Sequence, residues 1–110
     1  MPLKKDKTML KKTYTKNKSK CKVTFKFDPT EGSEQIDTIQ VVGSFNGWGK
    51  QKKHFLKKRK DGTYSLSVNL NAESSYEYKY LVNDAQWYTD NNAENYVWNI
   101  YGSQNALVAV

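Results

Sequence analysis

The sequence predicts an all-β fold, an antiparallel β-sandwich with immunoglobulin-like topology and about seven strands. Short segments that alternate apolar and polar residues recur along the chain, and turn residues separate them about every eight to twelve positions. None of these segments has the i, i+3, i+4, i+7 apolar spacing of an amphipathic helix. A length of 110 residues allows one domain. An oligonucleotide-binding barrel is the main structural alternative.

The predicted strands follow one another between residues that favour turns. They cover residues 21–27, 36–42, 54–57, 64–70, 75–82, 86–88 and 106–110. The first strand ends before Pro29, because proline lacks the N–H group that a sheet ladder requires. The second ends at Gly43. The third leads into a hairpin turn at Asp61 and Gly62, since this pair tolerates positive φ.

The later strands show the clearest alternation. The segment 64–70 alternates leucine and valine with serine and asparagine, and the segment 75–82 places three tyrosines on one face. The polar pair at 83–84 forms a tight turn that leads to the short strand 86–88. A polar loop is expected over residues 89–104, before the last strand.

Positive charge is concentrated at the start of the chain. Residues 1–26 contain ten lysines and one acidic residue, Asp6, whereas residues 27–110 contain eight basic and ten acidic residues. We therefore expect residues 1–20 to form a basic, flexible tail and residues 21–110 to form the domain. A solvated tail is the favoured interpretation, and an arm for nucleic acid or an acidic surface is the alternative.

Composition excludes several other classes. No apolar stretch approaches the roughly 18 to 20 residues of a membrane helix, and the basic N-terminus lacks the apolar core of a secretory signal. One cysteine and one histidine are too few for a structural zinc site or a convincing Cys/His catalytic pair. We expect no metal, no cofactor, no membrane partner and a cytoplasmic location.

We find no catalytic motif in the sequence. Lone His54 is expected to be a surface or half-buried strand residue. Asp84, Asp90 and Glu94 lie in predicted turns and loops, where a carboxylate pair could in principle serve glycosidic acid–base chemistry. Loop carboxylates are usually solvated, however, and so small a domain offers no deep cleft. We therefore expect that the protein is not an enzyme.

The aromatic residues carry the functional signal. Trp48 follows a turn-rich segment after the second strand, and Trp87 follows the turn at 83–84. An indole at a loop end either packs back on the fold or meets a ligand, since exposed aromatic area is unfavourable. Indole faces with nearby amide and ammonium donors suit a sugar, and they also suit single-stranded nucleic acid. The slightly negative charge of residues 27–110 disfavours nucleic acid.

Three motifs in order resemble a known family: Val42-Gly-Ser-Phe-Asn-Gly-Trp48, Tyr78-Lys-Tyr-Leu-Val-Asn-Asp-Ala-Gln-Trp87 and Tyr101-Gly-Ser-Gln-Asn-Ala-Leu-Val-Ala-Val110. The sequence from about residue 21 to the end resembles the glycogen-binding domain of the AMP-activated protein kinase β subunit. More broadly, it is similar to family-48 carbohydrate-binding modules and to the early-set domains of isoamylases and glycogen branching enzymes. The resemblance implies an early-set, immunoglobulin-like β-sandwich that binds α-1,4-glucans.

The resemblance also implies a carbohydrate-binding site, formed by Trp48, Trp87, Lys79, Asn105, Tyr101 and Ser103. The two tryptophans match the stacking residues of the kinase-subunit domain, and Lys79 and Asn105 match residues that bond to sugar hydroxyls. Tyr101 falls where that domain has a leucine, and Ser103 where it has a threonine. The loop before Tyr101 is longer here and carries an additional tyrosine and Trp98.

The sequence therefore favours a non-catalytic module that binds glycogen, starch or maltooligosaccharides by stacking on two tryptophans. The alternative is a regulatory early-set module that docks on a glycogen-metabolising enzyme without binding sugar itself. The partners expected are an α-glucan and a glycogen- or starch-metabolising enzyme or a kinase-like regulatory protein. Single-stranded nucleic acid is a third reading, and we do not expect it.

Overall fold

A computed structural model of the protein describes residues 10–29, 36–91 and 93–110. Two antiparallel sheets face each other, and this part of the chain contains nine strands. They are β1 (Lys11–Tyr14), β2 (Lys20–Phe27), β3 (Ile39–Gly43), β4 (Lys57–Lys58), β5 (Tyr64–Asn71), β6 (Ser75–Val82), β7 (Gln86–Tyr88), β8 (Asn95–Trp98) and β9 (Gln104–Ala109). The first sheet has the order β1-β2-β5-β4 and the second β3-β6-β9-β8, with β7 paired to β6. The predicted immunoglobulin-like sandwich is confirmed.

The core lies between the two sheets and is rich in aromatic rings. Phe25 of β2 meets Tyr78 of β6 with ring centroids 5.0 Å apart in an edge-to-face arrangement. The hydroxyl of Tyr78 donates to Oδ2 of Asp90 at 2.7 Å, and that of Tyr80 donates to the backbone oxygen of Lys26 at 3.1 Å. Burial raises the pKa of both tyrosines, with the Asp90 charge adding to the effect. Both hydroxyls therefore stay protonated, and their hydrogen bonds link the core to Asp90 and Lys26 at its edge.

One strand lies where a loop was expected. The prediction of a polar loop over residues 89–104 is wrong at β8, which pairs with β9 along its whole length. The signal was weak because only Tyr96 and Val97 of this strand are partly covered. The hydroxyl of Tyr96 donates to the backbone oxygen of Asp90 at 2.7 Å. The ring of Tyr96 packs against the core and stabilises a strand that the alternation of residues did not predict.

A second strand lies within the segment that we expected to be a tail. Strand β1 pairs with β2, so that Lys11 lies opposite Thr24 and Tyr14 opposite Cys21. Leu10 before it is buried in the core. The sheet therefore begins ahead of residue 21, and residues 1–9 of the expected tail lie outside the described residues.

The third predicted strand, 54–57, is divided between the two sheets. The backbone of His54 and Leu56 bonds to Val41 and Ile39 of β3, at 3.0 and 2.8 Å. From the next residue, Lys57, the chain belongs to the first sheet, where β4 pairs with β5. A segment that changes sheets in this way closes one side of the sandwich.

The second predicted strand is shorter than expected and begins at Ile39 rather than residue 36. The backbone N–H groups of Asp37 and Thr38 donate to Oδ1 of Asn83, at 2.7 and 3.1 Å. Because the side chain of Asn83 accepts these two N–H groups, Asp37 and Thr38 are not part of the strand, which begins at Ile39.

Candidate functional site

The outer face of the second sheet carries most of the predicted site. Along β6, Tyr78 and Tyr80 are buried inward, so Lys79 points outward. Leu81 pairs with Trp87 of β7, which puts that indole on the same outer face. The pairing of Tyr78 with Ala106 places Lys79 beside Asn105, one position further along.

The indole of Trp48 comes from a turn that a buried amide holds in place. The residues 44–49 form a 3₁₀ stretch in which Trp48 has φ 57° and ψ 39°. Asn46 is buried at its centre, and its Oδ1 accepts the backbone N–H groups of Gly43 at 3.0 Å and Gly49 at 3.2 Å. A left-handed non-glycine residue persists only where its surroundings determine it. These bonds therefore set the position of the indole.

The predicted residues meet around one open cavity of about 710 Å³. Its lining consists of Trp48, Lys79, Trp87, Asn99, Tyr101, Ser103 and Asn105. All six residues inferred from the sequence are in this set, although the chain separates the first from the last by more than half its length. Their contact with a sugar stays a prediction.

Polar side chains in this cavity form a hydrogen-bonded network, which we call the polar floor. Nζ of Lys79 donates to Oγ of Ser103 at 3.0 Å. Nδ2 of Asn99 donates to the same Oγ at 2.9 Å and to Oδ1 of Asn105 at 3.0 Å. Asn105, which is 5% exposed, donates in turn to Oε1 of Glu77 at 2.9 Å. The network holds each donor and acceptor in a fixed direction.

Asn99 is the cavity residue that sequence reasoning missed. Its Oδ1 accepts the backbone N–H groups of Tyr101 at 2.9 Å and Ser103 at 3.2 Å, which closes the turn between β8 and β9. Gly102 supplies the positive φ of 82° that this turn needs. An asparagine three residues before a glycine is a recognisable turn signal, but the expected loop concealed the hairpin it belongs to.

The aromatic walls are exposed to solvent. Trp48 is 40% exposed, Trp87 is 51% exposed and Tyr101 is 86% exposed. Trp98 and Ile100 are also exposed, at the same hairpin end, but they do not line the cavity. The additional tryptophan of the longer loop therefore lies outside the set that surrounds the cavity.

The three loop carboxylates considered above have structural partners. Asp84 accepts from Nε2 of Gln40 at 2.9 Å, Asp90 accepts from Tyr78, and Glu94 forms an ion pair with Lys12. Over the residues 10–29, 36–91 and 93–110 there is no group of three or more His, Cys, Asp or Glu side chains suited to a metal ion. Within the same ranges, no helix has the length and apolar character to cross a membrane.

The two packed antiparallel sheets define the chain as an early-set, immunoglobulin-like β-sandwich protein, and the second sheet presents an open aromatic cavity on its outer face. The particular family follows from the sequence. The chain belongs to the family described as the glycogen recognition site of AMP-activated protein kinase, which matches residues 24–110. The resemblance drawn from the sequence is thereby confirmed. Membership supports a non-catalytic glycogen-binding module.

Solved structures share the fold at low identity. The chain is similar to a ferric enterobactin esterase from Salmonella typhimurium, with 10% identity and a TM-score of 0.73 over 91% of this chain and 33% of that one. It is also similar to an enterobactin esterase from Shigella flexneri, solved in the presence of 2,3-dihydroxy-N-benzoyl-glycine, with 17% identity and a TM-score of 0.69 over 91% and 32%. The chain thus spans about a third of each esterase. No curated protein matches it.

Proposed function

We propose that this protein is a non-catalytic module that binds α-1,4-glucan, with glucose rings stacked on Trp48 and Trp87. One observation carries the proposal, namely that a single cavity gathers both indoles around Lys79 and Ser103. Membership of a glycogen-recognition family supports the substrate class.

The two kinds of side chain suit the two surfaces of a glucose ring. The C–H face of the ring is apolar and stacks on an indole face, and each such contact contributes roughly 0.5–1.5 kcal/mol beyond the area it buries, by analogy with aromatic pairs. Trp48 and Trp87 provide two such faces, and exposed Tyr101 provides a third ring at the hairpin end. Stacking of this kind holds the sugar without selecting its orientation.

Orientation comes from the polar floor. The ammonium of Lys79 and the hydroxyl of Ser103 are bonded to each other and both line the cavity. Ring hydroxyls can extend this network, because a sugar O–H both donates and accepts. The side-chain amide of Asn105 already has hydrogen bonds with Asn99 and Glu77. We therefore assign it two roles, to hold the neighbouring polar side chains in position and to contact the sugar.

The affinity should be modest because the cavity is open. We expect a Kd of about 10 μM to 1 mM for maltoheptaose, measured by isothermal titration calorimetry. The variants Trp48→Ala and Trp87→Ala should each weaken binding by about tenfold or more, since each removes one stacking face.

Trp98→Ala is the matched control, because Trp98 is 70% exposed and lies outside the cavity lining. It should bind like the parent protein. Cellohexaose, whose β-linked chain has a different shape, should bind weakly. Equal affinity for both sugars, or an equal loss in all three variants, would contradict the proposed site. Turnover of maltoheptaose by pure protein would contradict the non-catalytic assignment.

A second candidate is a regulatory module that docks on a glycogen-metabolising enzyme without binding sugar. Two observations favour it: the esterases carry this fold as about a third of a longer chain, and Trp98 and Ile100 expose apolar surface beside the cavity. This candidate predicts capture of a defined branching or debranching enzyme that Trp87→Ala leaves intact and Ile100→Ser weakens.

A further inference from the structure

On the outer face of the first sheet, the described strand positions carry lysines and no acidic side chain. On β2, Cys21, Val23 and Phe25 are fully buried, so the alternate positions face outward. The strand registers extend this assignment to β1, β4 and β5. The outward lysines of these four strands, all within the described residues, are Lys11, Lys20, Lys22, Lys26 and Lys57. Every other outward position is serine, threonine or asparagine. We call this surface the basic face.

Hydrogen bonds between side chains connect neighbouring parts of the basic face. Oγ1 of Thr24 and Oγ of Ser67 share a hydrogen bond of 2.8 Å, and a guanidinium N–H of Arg59 donates to Oγ of Ser65 at 3.1 Å. Lys22 lies between Thr13 and Asn69 in the registers. Its ammonium therefore has hydroxyl and amide neighbours across the sheet rather than carboxylates.

An acidic residue lies at one corner of the face, in the turn between β4 and β5. Asp61 accepts from the backbone N–H and from Oγ1 of Thr63, at 3.0 and 2.6 Å. These hydrogen bonds are the main cause that lowers the pKa of Asp61, and the charges of Lys26 and Arg59 add to it. The carboxylate of Asp61 is thus bonded to Thr63, and the strand positions of the basic face carry only lysine, serine, threonine and asparagine.

A second cavity, of about 470 Å³, continues the basic face at the edge of β5. Lys52, Lys53, His54 and Phe55 line one wall, and the residues 66–69 line the other. β4 pairs only with the first two residues of β5, and no other described strand pairs with this edge of β5. Phe55 is 43% exposed there. The cavity joins two ammonium groups to an accessible aromatic ring.

We propose that the basic face and this cavity bind single-stranded nucleic acid, with the phosphates on the lysines and a base against Phe55. Lysine, serine, threonine and asparagine side chains are the ordinary donors to phosphate oxygens. Aromatic rings beside a basic groove form the usual site for single strands. A bilayer is disfavoured because no outward position of the four strands is apolar. Binding should not depend on base sequence.

The net charges of the two sequence segments, 1–26 and 27–110, did not indicate this face. Residues 27–110 are slightly acidic, which argued against nucleic acid. Strand pairing nevertheless puts the lysines of β1 and β2 on one face with Lys57, and Lys52 and Lys53 line a cavity at β5 of the same sheet. The face lies on the first sheet, whereas the glucan cavity lies on the second. The two sites are therefore independent, and this inference does not rest on the proposed function.

The test is fluorescence anisotropy of labelled oligo(dT) and oligo(U) with the full chain, titrated at several salt concentrations. Saturable binding should weaken linearly in log K against log salt, with a slope of about −0.7 for each phosphate contacted. The variant Lys22→Gln/Lys26→Gln should reduce the magnitude of this slope by about 1.4, since it removes two contacts. Phe55→Leu should weaken binding by about fivefold or more with the slope unchanged.

The matched control is Lys58→Gln/Lys60→Gln, which removes the same charge from positions outside the basic face. It should leave the slope within experimental error of the parent. No saturable binding at low salt, or equal losses in the two double variants, would overturn the proposal. Binding to phosphatidylglycerol vesicles without binding to either oligonucleotide would also overturn it. Maltoheptaose titration of both double variants should match the parent, so failure of one site is distinguishable from failure of the other.

Discussion

Nδ2 of Asn46 donates a hydrogen bond to Nδ1 of His54 at 3.0 Å. The amide orientation is fixed because Oδ1 of Asn46 accepts two backbone N–H groups from Gly43 and Gly49. Nδ2 also donates to the backbone oxygen of Val41 at 3.1 Å. Nδ1 of His54 must therefore act as an acceptor, and the neutral ring carries its proton on Nε2. The turn that presents Trp48 thus depends on an uncharged histidine.

Acidification should destabilise the protein through His54. Burial lowers the pKa of His54 below 6.5, and the Lys52 charge adds to the effect. Above that value the ring is neutral both folded and unfolded, so the contribution of this hydrogen bond to stability is complete. As pH falls through 6.5 the unfolded chain binds the proton first, and the free energy of unfolding declines until the folded ring also titrates. Urea midpoints between about pH 7.5 and pH 5.5 measure this decline.

His54→Asn is the control for that experiment, because its Oδ1 can accept from Asn46 and cannot titrate. Its stability should change much less over the same interval. Affinity for maltoheptaose should follow the same pattern, since the bond supports the turn of Trp48. A parent protein whose urea midpoint is flat across the interval would rule out this role for His54.

Asn99→Ala should weaken glucan binding through the turn that follows β8. It removes the acceptor for the N–H groups of Tyr101 and Ser103 and the donor to Asn105. Each net hydrogen bond contributes about 0.5–1.5 kcal/mol, so we expect a lower melting temperature and an affinity reduced by about threefold to tenfold. Asn95→Ala, an exposed change outside the cavity, should leave calorimetric affinity unchanged.

Removal of residues 1–15 should destabilise the domain, because β1 is part of the first sheet. The deletion loses buried Leu10, the ion pair of Lys12 with Glu94, and the hydrogen bond from Nζ of Lys12 to the backbone oxygen of Ala109 at 2.7 Å. We expect a loss of about 2–4 kcal/mol in urea unfolding. Leu10→Ala in the full chain should give part of this loss. A deletion as stable as the parent would show that residues 10–14 behave as a tail.

Gly43→Ala should destabilise the junction between β3 and the Trp48 turn. An added Cβ would overlap the backbone oxygen of Glu77 and lie 3.0 Å from Cβ of Tyr78. The cost is steric rather than conformational, because Gly43 has extended φ of −168°. We expect about 1–3 kcal/mol in chemical unfolding, with weaker glucan binding. Gly62→Ala, which meets no atom within 4 Å but has φ of +89°, should cost about 1 kcal/mol and leave binding unchanged.

Strands could be predicted where buried and exposed residues alternate along the sequence. β6 and β7 have the bounds expected from the sequence. In β6 the tyrosines alternate with polar residues as far as Tyr80, and the polar turn at residues 83–84 separates the two strands. β1 and β8 were missed because neither strand contains a fully buried residue. Such strands are stabilised by pairing with a neighbouring strand, and no local sequence pattern indicates that pairing.

The family resemblance implied six candidate residues for one site, and the structure places all six around one cavity. The part of Asn99 in that cavity was not predicted. By itself, the sequence determined the sandwich class and the family, because inward alternation and the motifs are local properties of the chain. The tertiary structure alone decided that Trp48, Lys79 and Asn105 share one surface, and that the lysines of β1 and β2 share another. Strand pairing brings residues distant in sequence within a few ångströms, and so decides which side chains act together.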